Sequence, residues 1–278
     1  MSPEKWGVIT VGIVGVHGIG KYDYYLRAGR SVGGAAEAMR MKWDRYLSAG
    51  LGGPPGAYFA EVAYYAHHLN DQGKAKQVES MGATEQQVFV AWAKQLGVGE
   101  TFTGALKAFT GWLLTRLDSR AAAFAALFCP EVAAYLTDAA RRERCRGEVA
   151  EVLRRRAPRV VIAHSLGSVV AYETLHANPD IEVDLLITLG SPLGMRNVVF
   201  ERLLPAPVNG LGERPKGVRR WVNIADKDDI AAIPPGLRDH FTGVDFEALV
   251  NLDWLDFHTV EKYLGCGAIN QHLHPYLA

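Results

Sequence analysis

One stretch of this sequence combines residue types and spacing that can do covalent chemistry. Residues 160–175 read VVIAHSLGSVVAYETL: apolar residues suited to a buried strand, the pentapeptide Ala163-His164-Ser165-Leu166-Gly167, then a helical pattern. So abrupt a turn between strand and helix forces its central residue into a strained backbone conformation. Small residues two places before and after it let neighbouring chains pass closely. The pattern is the nucleophile elbow, G-x-S-x-G, with Ala163 in the first position, where small size is what matters. The bend lifts the Ser165 hydroxyl above the sheet edge. It also turns the Leu166 N–H, at the positive end of the helix, toward a developing oxyanion. A serine so placed becomes a nucleophile once a base and an orienting carboxylate reach it.

A second loop, His17-Gly18-Ile19-Gly20, directly follows the apolar run at 8–16. With Gly15 and Lys21 it nearly matches the phosphate-cradling pattern G-x-x-x-x-G-K-[ST]. The last position is Tyr22, which has no hydroxyl of the right reach for Mg²⁺, so nucleotide hydrolysis is disfavoured.

HGIG at 17–20, AHSLGS at 163–168, ITLGSPLG at 187–194, NIADKDDIAA at 223–232 and FHTVEKYL at 257–264 together resemble the α/β-hydrolase serine esterases and lipases. The resemblance spans residues 8–66 and 159–264 and leaves out 74–157. It implies that Ile19 supplies a second oxyanion N–H beside Leu166, with Gly20 as the alternative. It also implies the chain order serine, acid, histidine. The acid then lies among Asp226, Asp228 and Asp229. Asp229-Ile230-Ala231-Ala232 with Pro234 and Pro235 is similar to the D-I-V-P-like segment of such lipases, so Asp229 is preferred, Asp226 is second and Asp228 third.

The candidate bases are His240, His258, His272 and His274. His258-Thr259 with Tyr263-Leu264 resembles the histidine segment of related bacterial hydrolases, so His258 is preferred. His240 reads as a surface residue. His272 and His274 are spaced like metal ligands but show no third partner. His17, Gly18 and His164 are expected around the substrate, His17 bracing the oxyanion loop and His164 packing beside the serine. Ser191 could line the same pocket. The implied reaction is hydrolysis of a carboxylic ester, a small acyl substrate, through an acyl-enzyme. An acyltransferase, thioesterase or cyclase using the same intermediate is the alternative, and a binding protein on a hydrolase fold is a third. No metal and no organic cofactor is expected.

The elements that must hold these residues alternate between strand and helix. Strands are read at 8–16, 58–66, 159–163, 185–189 and 218–224; 244–251 reads as a strand or a short helix. Helices are read at 31–47 and 167–177, with a loop at 50–56. Thr84 and Gln87 fit a capping box, Pro130 and Glu131 a helix start, and 131–156 a scaffold helix closed by Pro158. The expectation is one α/β domain over 1–278, with a mostly parallel central sheet, helices on both faces and a helical insert or cap at about 74–130. Trp92, Phe102, Phe109, Trp112, Leu113, Phe124 and Phe128 would give that insert an apolar face.

Composition narrows the class further. Over 278 residues, 30 Lys+Arg balance 30 Asp+Glu, so there is no basic excess of the kind that a nucleic-acid binder carries. Three scattered cysteines make no disulfide framework and no CxxC zinc motif. No apolar run of roughly 18 residues exists to span a membrane, and the first residues lack a leader-like apolar core. The expected setting is the cytoplasm.

Overall fold

The computed structural model describes residues 12–54, 56, 58–69, 81–96, 119–252 and 258–277. Within them lies an α/β architecture. Six strands form one parallel sheet: β1 (Ile13–Val16), β2 (Phe59–Ala63), β3 (Val160–His164), β4 (Val183–Leu189), β6 (Val218–Asp226) and β8 (Phe246–Val250), in the order β2-β1-β3-β4-β6-β8. β5 (Gly212–Glu213) and β7 (Phe241–Thr242) pair separately.

Register decides where chemistry can sit. Val16 lies opposite Ala163, His164 opposite Leu189, and Leu189 opposite Ile224. The carboxyl ends of β1, β3, β4 and β6 therefore finish along one edge. The segments that follow, at His17, Ser165, Gly190 and Lys227, leave the sheet side by side. In an open parallel sheet this edge is where ligands bind.

Side chains alternate between the two faces of the sheet, and each face has its own apolar layer. Val161 and Ala163 face a layer with α3 (Ala83–Gln95), α4 (Ser119–Thr137), α5 (Ala139–Arg156) and α6 (Leu166–Ala177). Val160 and Ile162 face α2 (Val32–Leu51), α7 (Val260–Gly265) and α8 (Asn270–Leu277). Strands buried on both faces read as continuous apolar runs, which is why β3 and β4 stand out in the sequence. The short α1 (Tyr22–Arg27) follows the HGIG loop.

Several boundaries differ from the sequence reading, most of all those of the helices. Ser31 caps α2 through a bond from the Gly34 N–H, but the helix runs on to Leu51, with the left-handed Gly52 as its stop. The expected loop therefore starts later. The start of α3 is capped at Gly82, whose N–H donates to the Glu85 carboxylate at 2.8 Å, two residues before the expected Thr84 and Gln87 pair. Pro130 starts no helix and lies inside α4. A proline deletes one backbone donor, and the burial of Phe128, Cys129, Val132 and Tyr135 around it carries the helix through. The break comes at Asp138, which accepts the Arg141 N–H at 3.0 Å and starts α5 after a 96° bend. The ambiguous 244–251 segment contains β8, settled as a strand by its pairing with β6.

Residues 8–11 of the first apolar run, and Phe102, Phe109, Trp112 and Leu113 of the expected insert, lie outside the described residues, as does Phe257. Among the described residues, no single helix is long and apolar enough to cross a membrane.

Candidate active site

The elbow residue carries the backbone strain that its motif requires. Ser165 has φ 56° and ψ −134°, a left-handed conformation that a residue with a Cβ adopts at a cost of roughly 1–3 kcal/mol. Its surroundings hold it there. The Ser165 N–H donates to the Leu189 carbonyl at 3.0 Å, and the Ser165 carbonyl accepts from the Ser168 N–H and hydroxyl. Gly167 lets α6 approach β1, because a Cβ there would lie 2.3 Å from the His17 carbonyl oxygen. Ser191, buried, bonds the Ser168 hydroxyl at 2.6 Å. It thereby fixes the first turn of α6.

Three side chains distant in sequence meet here. His258 Nε2 lies 2.7 Å from Ser165 Oγ, and His258 Nδ1 lies 2.8 Å from Asp229 Oδ2. A carboxylate oxygen can only accept, so Nδ1 carries the ring proton and the Nε2 lone pair receives the serine O–H. Asp229 is buried. Its Oδ1 accepts the Ala231 N–H at 2.8 Å, and its Oδ2 also accepts the Tyr263 hydroxyl at 2.7 Å.

The other candidates lie outside this line. Asp226 is buried but spends its oxygens on the N–H groups of Asp228 and Leu252, which shapes the loop. Asp228 is exposed. His240 packs on Phe200, His272 sits 3.0 Å from an Arg220 nitrogen, and His274 is exposed.

The HGIG loop lies directly over the serine. A Cβ on Gly18 would fall 2.5 Å from Ser165 Cβ, so only glycine fits. His17 is fully buried. Its Nε2 accepts the Tyr65 N–H at 3.1 Å, its Nδ1 donates to the Gly18 carbonyl at 2.7 Å, and its ring stacks on Tyr65. Burial pushes its pKa down to about 3, so it is neutral and serves as a brace. Gly20 donates its N–H to the buried Glu131 carboxylate at 3.0 Å, which removes it as an oxyanion donor and occupies the amide that a phosphate would need. Among the described residues, the N–H groups of Ile19 and Leu166 have no acceptor.

His164 is buried beside the pair, its ring centroid 4.8 Å from that of His258, and among the described residues neither of its nitrogens has a hydrogen-bond partner. Burial holds its pKa well below the usual imidazole value. On the outer side the Phe124 ring of α4 meets His258 edge-on at 5.2 Å, and Phe124 packs against Trp92 and Phe128. The Trp92 indole N–H donates to the Ile230 carbonyl at 2.8 Å, tying α3 to the acid loop. Ser165 is 0% exposed under this cover.

Tyr263, Glu131 and the Trp92 tie were missed in the sequence as parts of the site. Tyr263 stood in the segment that pointed to His258, five residues on, and was the one detectable signal. The chain matches no known protein family and no curated protein.

Proposed function

We propose that this chain has the α/β-hydrolase fold and cleaves a carboxylic ester through a serine acyl-enzyme. The observation that carries the reading is the unbroken hydrogen-bonded line Ser165–His258–Asp229, starting at a strained strand-to-helix turn. In this reading Ser165 Oγ attacks the acyl carbonyl as His258 Nε2 takes its proton. The tetrahedral oxyanion sits between the Ile19 and Leu166 N–H groups. His258 then returns the proton to the leaving alkoxide, which departs as the alcohol. Water, deprotonated by the same nitrogen, releases the acid and restores Ser165. Asp229 holds the ring tautomer and stabilises the imidazolium in both halves.

Closure over Ser165 favours a second reading, acyl transfer. A cover that excludes water lets an alcohol, amine or thiol resolve the acyl-enzyme. Two experiments test the pair. Hydrolysis of short and long p-nitrophenyl esters, with fluorophosphonate labelling, should be abolished by Ser165→Ala; unchanged turnover in that variant refutes the serine mechanism. Product analysis with a competing alcohol separates hydrolysis from transfer.

A further inference from the structure

We propose that His67, His68 and Glu148 form a binding site for a zinc-type divalent cation. The site is separate from Ser165 and does not rest on the hydrolase reading. His67 and His68 end a short 3-10 turn (Ala66–His68) just after β2, and Glu148 projects from α5. Glu148 Oε1 lies 3.3 Å from His68 Nε2 and 3.7 Å from His67 Nε2, and the ligand atoms of all three residues fall within 4.8 Å of one another.

The His68–Glu148 separation is that of two ligands on one ion, and the His67–Glu148 separation is a few tenths of an ångström wider. With zinc–nitrogen bonds of roughly 2.0–2.1 Å and zinc–oxygen bonds of roughly 2.0–2.2 Å, neighbouring ligands of a tetrahedral ion stand about 3.3–3.5 Å apart. The His67 distance is too long for a hydrogen bond, and its other nitrogen, Nδ1, is buried and has no partner among the described residues. The His67 ring stacks on Tyr64 and Tyr25. His67 Nε2 and the Glu148 oxygen, 3.7 Å apart, are near enough to share one ion and too far apart to bond each other directly. Two imidazoles and one carboxylate suit zinc, and three protein ligands leave a fourth position for water. The side chains are 15%, 17% and 30% exposed, open enough for an ion to enter.

The ion would clamp the end of β2 to α5. That end carries Tyr64, which donates to the Lys21 carbonyl, and Tyr65, which donates its N–H to His17. These contacts hold both sides of the HGIG loop, so the site would stiffen the loop from outside.

The test is calorimetric titration of the full, chelator-stripped chain with Zn²⁺, followed by thermal unfolding with and without the metal. The expected result is one equivalent bound and a higher Tm. His68→Ala and Glu148→Gln should each weaken binding at least tenfold, while His258→Ala leaves it unchanged. Circular dichroism checks that the variants fold. Co²⁺ bound to the unsubstituted chain gives a second readout, the strong visible absorption of a tetrahedral site. Absence of uptake at high micromolar metal, uptake undiminished in the two variants, or a weak octahedral Co²⁺ spectrum each overturns the proposal.

Discussion

The Tyr263 hydroxyl donates to Asp229 Oδ2, the same oxygen that faces His258 Nδ1, and accepts the Asp226 N–H at 2.8 Å. One phenol thus joins the carboxylate that orients the imidazole to the end of β6. Burial holds the phenol far above its usual pKa, so it stays a donor at any working pH. Tyr263→Phe should leave the fold intact and let Asp229 turn. On the proposed mechanism kcat falls about tenfold with KM little changed, as for loss of an outer hydrogen bond that orients a ligand. The alkaline side of the pH–rate profile should keep its position. Equal kcat in the two proteins would remove Tyr263 from any positioning role.

Gly18→Ala places a methyl group 2.5 Å from Ser165 Cβ, so the loop must lift. The Ile19 N–H moves with it. On the proposed mechanism the Ile19 N–H binds the oxyanion; losing one such donor costs roughly 10²–10³ in kcat, and steady-state ester kinetics should show a loss of that order. A variant with full turnover would place the oxyanion elsewhere.

Phe124→Ala removes the ring that covers His258. Labelling of Ser165 by a bulky fluorophosphonate should speed up several-fold, at some cost in stability, because the ring also packs on Trp92 and Phe128. Labelling by a small fluorophosphonate should change less. Identical rates for both probes in both proteins would mean that α4 does not gate the serine.

Glu131 and His17 make opposite contributions to the pH dependence of stability. Burial raises the Glu131 carboxyl from 4.5 to about 7, against the pull of the Gly20 N–H and Lys21. The folded state then binds the proton more tightly than the unfolded state, so stability falls as pH rises through that window. His17 is lowered from 6.5 to about 3, so stability falls as pH drops through its own window. The two slopes oppose each other between pH 4.5 and 6.5. Glu131→Gln keeps an acceptor for Gly20 and removes one slope. Urea midpoints of the variant should climb across this range where the parent stays flatter, with a gain on the order of 3 kcal/mol at pH 8. Parallel profiles would refute the assignment.

The elbow was legible because its information is local: strand, strained residue, small neighbours and helix fall within a few positions of Ser165. Asp229 is preferred over Asp226 only through the resemblance of its segment, because the contacts that distinguish them are long-range. Both are buried carboxylates, Asp226 at the end of β6 and Asp229 in the segment that follows, and what separates them is which one His258 and Tyr263 reach, from 29 and 34 residues away. Glu131 contacts Gly20 across 111 residues and carries no sequence mark of that role. Pro130 misled because a local breaker was outweighed by burial on either side. β8 stayed ambiguous because it lies at the sheet edge with half-exposed side chains, so its own pattern does not determine it.

His258 lies 93 residues beyond Ser165, after the last strand of the sheet. A ribosome makes the elbow long before it makes this imidazole, and domains begin to form from their amino-terminal side. On the proposed mechanism the emerging hydroxyl has no partner to deprotonate it throughout synthesis of the intervening chain. In that reading reactivity switches on only once His258 has been made and has packed against Asp229.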